Sequence, residues 1–437
     1  MKVGQILKTA RERLKIEALN AMQQAVWQSR ADRLIVLSPT GSGKTVDFAG
    51  AMLQRLSDGP HQLPAALILA PSRELVIQIG EVLRSLSVGM KVATFYGRHS
   101  MADEVNTLAV CPDIIVATPG RLLDHLTRKS VDLSVLEVLI IDEYDKALEL
   151  GFYDEMNRIC RRVPRSLRRV VLTSATPIDQ MPDFLDMSQA HTIDFSNSAK
   201  TTARLDVARV LSFQRDKLPI LRALLASLGQ GRSMVFVNHR ESAERVYQFL
   251  VNEGFATCLY HGGLEQIYRD RAVITLNNGS TPVMVATDLA ARGLDIDAVE
   301  NVIHYHLPPT PQALTHRNGR TARVDRSGRV YFIISDGENV PEYVDWNHDY
   351  HPDADATLPP QPQLVTFYCN AGRKEKVSRG DIVGLLCKTI GMQASQIGHI
   401  DVRDHSAYVA VDAQAASLIP SSTLKIKSAR LRLTPIK

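Results

Sequence analysis

Pro39-Thr40-Gly41-Ser42-Gly43-Lys44-Thr45 lies between an apolar run, Leu34-Ile35-Val36-Leu37, and a helical pattern over residues 46–56. Glycines let backbone N–H groups turn inward around phosphate oxygens, and the N-terminus of the following helix adds positive dipole. In such a loop Thr40, Gly41, Ser42 and Gly43 cradle the phosphates. Lys44 reaches the β- and γ-phosphates, and the Thr45 hydroxyl ligates magnesium. A plain glycine-rich turn is the bland alternative, and Lys-Thr in a strand-to-helix setting argues against it.

Outward from the loop, apolar β-rich runs alternate with helical patterns. Ala66–Leu69, Asp113–Val116, Val138–Ile141 and Val170–Leu172 read as buried strands, and their hydrophobicity is continuous rather than alternating. A parallel sheet covered on both faces requires that pattern. After a polar stretch near residues 194–204 it restarts at Met234–Val237, Val283–Ala286, Val302–Tyr305 and Val330–Ile334. The fold class that follows is α/β, with two doubly wound parallel-sheet domains. Strand Val138–Ile141 ends in Asp142-Glu143-Tyr144-Asp145, where open α/β sheets place ligands. There Asp142 would hold magnesium through water, and Glu143 would orient or deprotonate an attacking water. Alone, Asp-Glu after a strand more often starts a helix. Beside a phosphate loop it reads as catalytic.

Bulk composition sets the limits. The 437 residues exceed one compact core. No run approaches the ~18 apolar residues of a membrane span, and the N-terminus has no signal-peptide core, so a cytoplasmic protein is expected. The five cysteines are scattered without a CxxC pair, against a zinc site or a disulfide framework. From residue 362 onward there are 11 Lys and Arg against 5 Asp and Glu, while the other 361 residues hold 40 and 42. A basic tail on a nearly neutral body suggests contact with a polyanion.

The second half carries His316-Arg317-Asn318-Gly319-Arg320-Thr321-Ala322-Arg323 and, before it, Ala286-Thr287-Asp288-Leu289-Ala290-Ala291-Arg292-Gly293-Leu294-Asp295. With the phosphate loop and Asp142-Glu143-Tyr144-Asp145, these resemble the motifs of the DEAD-box RNA helicases. The resemblance implies two RecA-like domains and ATP with Mg2+ as cofactors. It makes Arg320 and Arg323 arginine fingers at the γ-phosphate, gives Asp295 to the ribose and puts Thr287 on RNA. Ser174-Ala175-Thr176 is similar to the coupling element, whose hydroxyls can bond Asp145 and His316. Pro71-Ser72-Arg73, Gly97-Arg98 and Thr118-Pro119-Gly120-Arg121 resemble the first lobe's RNA-backbone contacts. Val235–Asn238 and His261–Gln266 resemble the second lobe's. Such contacts offer backbone N–H, hydroxyl and Arg to phosphates and are sequence-blind.

Three departures stand out. Gln23, the adenine reader by resemblance, sits in Leu19-Asn20-Ala21-Met22-Gln23 rather than Pro-Thr-x-Ile-Gln, and Ile6 holds the place of an aromatic that stacks on adenine. Tyr144 replaces the alanine of Asp-Glu-Ala-Asp, so its ring must find space behind the cleft. Ala322 stands where the family prefers glycine.

Between residues 335 and 363 there are seven acidic residues, no Lys or Arg, and Pro352, Pro359, Pro360 and Pro362. That composition reads as a linker with few contacts to the lobes. Beyond it, strands at Leu364–Cys369, Ile397–Val402, Ala407–Val411 and Ala429–Leu433, with helices at Arg379–Ile390 and near Ala413–Leu418, suggest a β-α-β-β-α-β order. Ala371-Gly372-Arg373-Lys374-Glu375-Lys376-Val377 and Gly380–Gly384 resemble the C-terminal domain of the DbpA branch. That domain is an RRM-like α+β fold, which implies targeting to a hairpin of 23S, large-subunit, ribosomal RNA. Tyr408 and Phe367 are candidate base-stacking platforms, unless strand alternation puts Tyr408 in the core. Arg373, Lys374, Lys425 and Arg430 head two basic clusters suited to structured RNA. The expected domains are 1–203, 204–335, a linker at 336–363, and 364–437. An RNA helicase of ribosome assembly is the leading reading, expected to be a monomer that meets pre-ribosomal particles. A weakly or non-hydrolysing RNA clamp is the alternative if Tyr144 spoils the site, and a DNA translocase of the wider superfamily is the third.

Overall fold

The computed structural model describes residues 3–38, 43–57, 61–97, 101–178, 181–195, 205–291, 296–321, 328–427 and 429–436. Two compact units emerge, residues 1–202 and 203–437.

The first unit is a seven-stranded parallel sheet. Its strands are β1 (Arg33–Leu37), β2 (Ala66–Leu69), β3 (Val92–Phe95), β4 (Ile114–Ala117), β5 (Val138–Ile141), β6 (Arg169–Ser174) and β7 (His191–Asp194), in the order β3-β4-β2-β5-β6-β1-β7. Side chains alternate between two cores. Leu34, Val36, Ile68, Val116 and Ile140 enter one, while Ile35, Leu37, Leu67, Ile115 and Ile141 enter the other. Both faces being covered by helices explains why the inner strands β2, β4 and β5 are apolar at every position.

The second unit repeats the plan. Strands β8 (Leu205–Ser212), β9 (Ser233–Phe236), β10 (Thr257–Tyr260), β11 (Val283–Ala286), β12 (Asn301–His304), β13 (Gly328–Ser335) and β14 (His348–Asp349) take the order β10-β11-β9-β12-β13-β8-β14, again all parallel. Counted from each lobe's first strand, both sheets run 3-4-2-5-6-1-7.

The seventh strand of the second sheet comes from the stretch read as a linker, and the expectation of few contacts is corrected. Asp349 accepts from Arg209 Nε and Nη2, both at 2.7 Å, and the Arg209 guanidinium lies over the Trp346 ring. Val344 enters the lobe's core. Further on, Ser227 Oγ accepts from the Asp353 amide, Gln230 donates to the Pro360 carbonyl, and Gln361 donates to the Gly254 carbonyl. The acidic residues are there partly to meet Arg209 and Lys217; Glu338 lies 2.6 Å from the latter.

The tail is a four-stranded antiparallel sheet of β15 (Leu364–Cys369), β16 (Ile397–Val402), β17 (Ala407–Asp412) and β20 (Leu433–Pro435), ordered β16-β17-β15-β20. The first helix is α-helical only over Arg379–Gly384 and continues as a π-turn over Leu385–Thr389, where the Ile390 amide donates to the Leu385 carbonyl. The second expected helix is a short 3₁₀ turn, Ala416–Leu418. Residues 429–433 do not make one strand. Ala429–Leu431 (β19) pairs with Leu424–Ile426 (β18) as a separate ribbon, and the chain reaches the sheet only at Leu433.

Candidate functional site

In the first sheet the expected nucleotide residues and the expected RNA residues leave from different halves of one edge. Lys44 and Thr45 follow β1, Asp142 and Glu143 follow β5, and Ser174 with Thr176 ends β6. These three strands are neighbours. Pro71 and Arg73 follow β2, Gly97 follows β3, and Thr118 with Arg121 follows β4, the other three. Thr40, Gly41, Ser42, Arg98, Asp295 and Arg323 lie outside the described residues.

Lys44 and Thr45 open the helix Lys44–Leu53, and its cap, Gly43, has φ +92°. A Cβ at Gly43 would also come within 2.8 Å of Gln23 Nε2, so the turn needs glycine for conformation and for space. Lys44 is buried and donates to the Ser38 carbonyl at 3.0 Å. Gln23 is also buried, and its Oε1 accepts from the Asn20 amide at 2.9 Å while its own amide donates to Asn20 Oδ1 at 2.8 Å. This capping box fixes the start of the helix Ala21–Gln28, a use of Gln23 legible in the Asn-x-x-Gln spacing.

Asp142 is buried, which pushes its carboxyl upward; the Lys44 charge and a hydrogen bond from the Thr173 hydroxyl pull the other way. Glu143 is buried too, in left-handed backbone (φ +48°, ψ +52°), with its amide donating to Thr173 Oγ1 at 3.2 Å. Asp47, one turn into the phosphate-loop helix, escaped the sequence reading because an acid there reads as a routine dipole partner. It is 1% exposed, and burial pushes its carboxyl up to about 8, opposed by Lys44 and reinforced by Asp142. Concentrated buried carboxylate beside one ammonium is a donor set suited to a hard divalent cation.

Tyr144 finds its space in the core on one sheet face, in the cluster that includes Met156, Ile159 and Leu172, and is 1% exposed. Asp145 meets the Ser174-Ala175-Thr176 element through Thr176: its Oδ2 accepts from Thr176 Oγ1 at 3.0 Å, while Ser174 Oγ donates to the Thr176 carbonyl at 2.5 Å. On the other half of the edge, the Arg73 guanidinium lies over the Tyr96 ring, and Arg121 Nε donates to Glu104 Oε2 at 2.6 Å. Glu104 is buried and also binds His125 Nε2 at 2.8 Å. Hydrogen bonds from His125 and Arg121 overcome its burial and hold its carboxyl below the usual range.

The second lobe divides its edge the same way. His261 and Gly262 follow β10, Thr287 and Asp288 follow β11, and Asn238 follows β9. The helix Pro311–Asn318, after β12, carries buried His316 and Arg317, with buried Arg320 just beyond. Arg317 is the keystone. Its Nε donates to Asp288 Oδ1 at 2.5 Å, its Nη1 to the His306 carbonyl at 2.9 Å, and its Nη2 to Asn238 Oδ1 at 2.7 Å. In the tail, Arg373, Lys374, Lys425 and Arg430 are all exposed.

Comparison with known proteins agrees along most of the chain. Models described as DEAD/DEAH box helicase, helicase conserved C-terminal domain and DbpA RNA binding domain match residues 20–184, 216–325 and 366–435. The ATP-dependent RNA helicase DbpA of Escherichia coli is 34% identical over 417 residues, 91% of this chain and 90% of that one. The Bacillus subtilis protein of the same name is 28% identical, covering 89% and 88%. Among solved structures, S. cerevisiae Dbp5 bound to RNA and ADP BeF3 is similar with a TM-score of 0.65 and 27% identity, over 76% of this chain and 87% of that one. The chain belongs to the DEAD-box ATP-dependent RNA helicases, in the DbpA type.

Proposed function

We propose that this helicase opens short duplexes in structured RNA, 23S ribosomal RNA above all, as a cytoplasmic monomer acting in large-subunit assembly. The observation that carries the mechanism is the shared division of the two sheets, with nucleotide residues at the ends of one set of strands and RNA residues at the ends of the other. Lys44 and Thr45 hold the β- and γ-phosphates, Asp142 holds Mg2+ through water, and Glu143 positions the attacking water. Arg320 and Arg323 stabilise charge on the departing phosphoryl group. Arg73, Thr118, Arg121 and Thr287 grip RNA backbone; Arg121 must exchange Glu104 for a phosphate to do so. Thr176 and Asp145 tie together the ends of the neighbouring strands β6 and β5 within the nucleotide half of the first lobe's edge. Tyr144, with its ring taken up by the core, favours hydrolysis over a non-hydrolysing clamp.

Support for the ribosomal target is the match of residues 366–435 to the DbpA RNA binding domain. Steady-state ATPase measured without RNA, with generic RNA and with a 23S fragment tests the whole reading. Turnover should rise with any RNA and most with the ribosomal one. Removing residues 364–437 should abolish that preference and leave generic stimulation. Equal stimulation by every RNA would refute the ribosomal target.

A further inference from the structure

The first lobe holds a cavity of about 890 Å³ that none of the ATP or RNA residues lines. Its walls are the helix Val3–Leu14, the helix Ala21–Gln28 and the turn after the phosphate-loop helix, at Gln54 and Arg55. Arg55 lies roughly 15 Å along that helix from Lys44, at about 1.5 Å per residue. Ser29 and Arg30 precede β1, and Arg169 opens β6. The cavity therefore sits at the N-terminal ends of those strands, while the nucleotide and RNA residues leave from the opposite edge.

Four arginines, Arg11, Arg30, Arg55 and Arg169, line it without an acidic residue. Arg169 is 1% exposed and has no carboxylate partner. Its Nε donates to the Ala31 carbonyl at 3.2 Å and its Nη2 to the Ser29 carbonyl at 2.6 Å, and Nη1 makes no hydrogen bond among the described residues. Burial, with Arg55 beside it, pushes its pKa down to about 10, so it stays charged at neutral pH. Asp32, which opposes that push, is 64% exposed and lies 3.6 Å from Arg55. Arg55 in turn donates to the Arg30 carbonyl, so Arg30, Arg55 and Arg169 are neighbours. Leaving a buried cation without a counter-ion is costly, and here two further guanidiniums share its space.

The rest of the lining is apolar. Trp27 is 5% exposed, and Leu7 and Leu19 pack against the same core. Trp27 also grips the phosphate-loop helix: its Nε1 donates to the Val46 carbonyl at 3.2 Å, and a Cβ on Gly50 would come within 2.0 Å of its ring. Volume and chemistry select the ligand. The size falls within the roughly 300–1,000 Å³ of small-molecule sites. Planar guanidiniums match phosphate oxygens, and the apolar wall suits a flat ring.

We propose that this cavity binds a small aromatic phosphate, with its phosphate among Arg30, Arg55 and Arg169 and its ring on Trp27, and that its occupation is coupled to the phosphate loop. The coupling runs through one rigid element, since Trp27 bears on the helix whose first residues meet ATP.

The test uses the full chain with Trp346→Phe, which leaves Trp27 as the one tryptophan, and with Mg·ADP present to fill the phosphate loop. Phenyl phosphate is the probe and phenol its uncharged control. Phenyl phosphate should change Trp27 fluorescence saturably in the low millimolar range, and phenol should not. Arg30→Gln with Arg55→Gln should weaken that binding by about tenfold or more, the loss of at least one charge-assisted hydrogen bond. No saturable change, an equal response to phenol, or an undiminished response in the double variant overturns the site. Calorimetry of Mg·ADP binding with and without phenyl phosphate should show affinity shifted by about fivefold or more, the low end for coupled sites, and the double variant should lose the shift. An unshifted affinity overturns the coupling. So does a shift that the double variant retains, because phenyl phosphate would then be competing at the phosphate loop.

Discussion

The two lobes share one strand order and differ in the acids they bury, although both bury basic residues, Lys44 and Arg169 in the first. Every buried carboxylate among the described residues, Asp47, Glu104, Asp142 and Glu143, belongs to the first lobe. The second buries Lys217, Arg317, Arg320 and the histidines His261, His304 and His316, without a buried acid among its described residues. Duplicated topology therefore fixes where side chains leave the sheet but leaves open which charge they carry. An acidic edge suits a cation and a water nucleophile. A basic one suits the anion formed when a phosphoryl group departs.

The sharpest way to break that contrast is to remove the functional charge from each lobe in turn. Lys44→Ala and Arg320→Ala should each lower RNA-stimulated turnover by roughly 10³-fold or more, an arginine finger alone being worth about 10³–10⁵ in related systems. Near-normal steady-state ATPase in Arg320→Ala would mean that the basic lobe takes no part in the chemistry.

Next in size is the keystone of the basic lobe. Arg317→Met leaves Asp288 without its guanidinium and strips Asn238 Oδ1 and the His306 carbonyl of a donor. Breaking a fully buried pair by removing one partner costs about 3–5 kcal/mol; with Asp288 31% exposed, the loss here should fall below that range. Denaturant unfolding of the full chain should show that loss in the second lobe, with the first lobe's transition unmoved. A loss in both would show that the lobes do not unfold separately.

Tyr144 marks the first lobe's counterpart, a large residue placed for packing beside the carboxylates. Tyr144→Ala should cost about 3 kcal/mol in first-lobe stability, at the lower end for truncating a buried aromatic, while ATP turnover persists at temperatures where the lobe is folded. Should the unaltered protein lack RNA-stimulated ATPase and Tyr144→Ala gain it, the clamp reading replaces the catalytic one.

Much of this was legible in the sequence wherever one local rule decides. Continuous apolar runs gave five strands of the first sheet and four of the second, and the phosphate loop and Asp142-Glu143 fall at the ends of β1 and β5, one strand apart. What escaped was decided by partners distant in the chain. The strand His348–Asp349 is two residues long and exists because Leu205–Ser212 offers an open edge and Arg209 a matching charge; no periodicity can show that. Tyr368 and Tyr408 alternate as a solvent-facing sheet surface should, and only Asp270 and Arg271, about a hundred residues earlier, turn that surface inward. Ala413–Leu418 failed as a helix because six residues cannot offset nucleation without a packed face.

The smallest expected effect concerns acid. His304 is buried between the Phe236 and Phe332 rings, its Nε2 hydrogen-bonded to Asn318 Oδ1 at 2.9 Å. Burial, helped by the Arg317 charge, pushes it down to about 3. His306 accepts from the Asn238 amide at Nδ1, and burial, with Lys217, His239 and Arg317 nearby and Glu338 opposing, pushes it down to about 4. Unfolded, both would titrate near 6.5. Between those limits the unfolded chain binds protons that the folded lobe does not, so stability is full above pH 6.5 and falls as the pH drops. From pH 7 to 5.5 the loss should be about 1 kcal/mol for each histidine. The chain's two tryptophans allow each lobe to be read alone, Trp27 in the first and Trp346 in the second. In a Trp27→Phe background, Trp346 fluorescence during urea unfolding should report the loss, and His304→Gln with His306→Asn, which keep the donor and the acceptor, should flatten it. Read through Trp27 in a Trp346→Phe background, the first lobe should not follow that slope. An equal slope at both tryptophans would place the acid sensitivity outside these two histidines and remove this part of the contrast between the lobes.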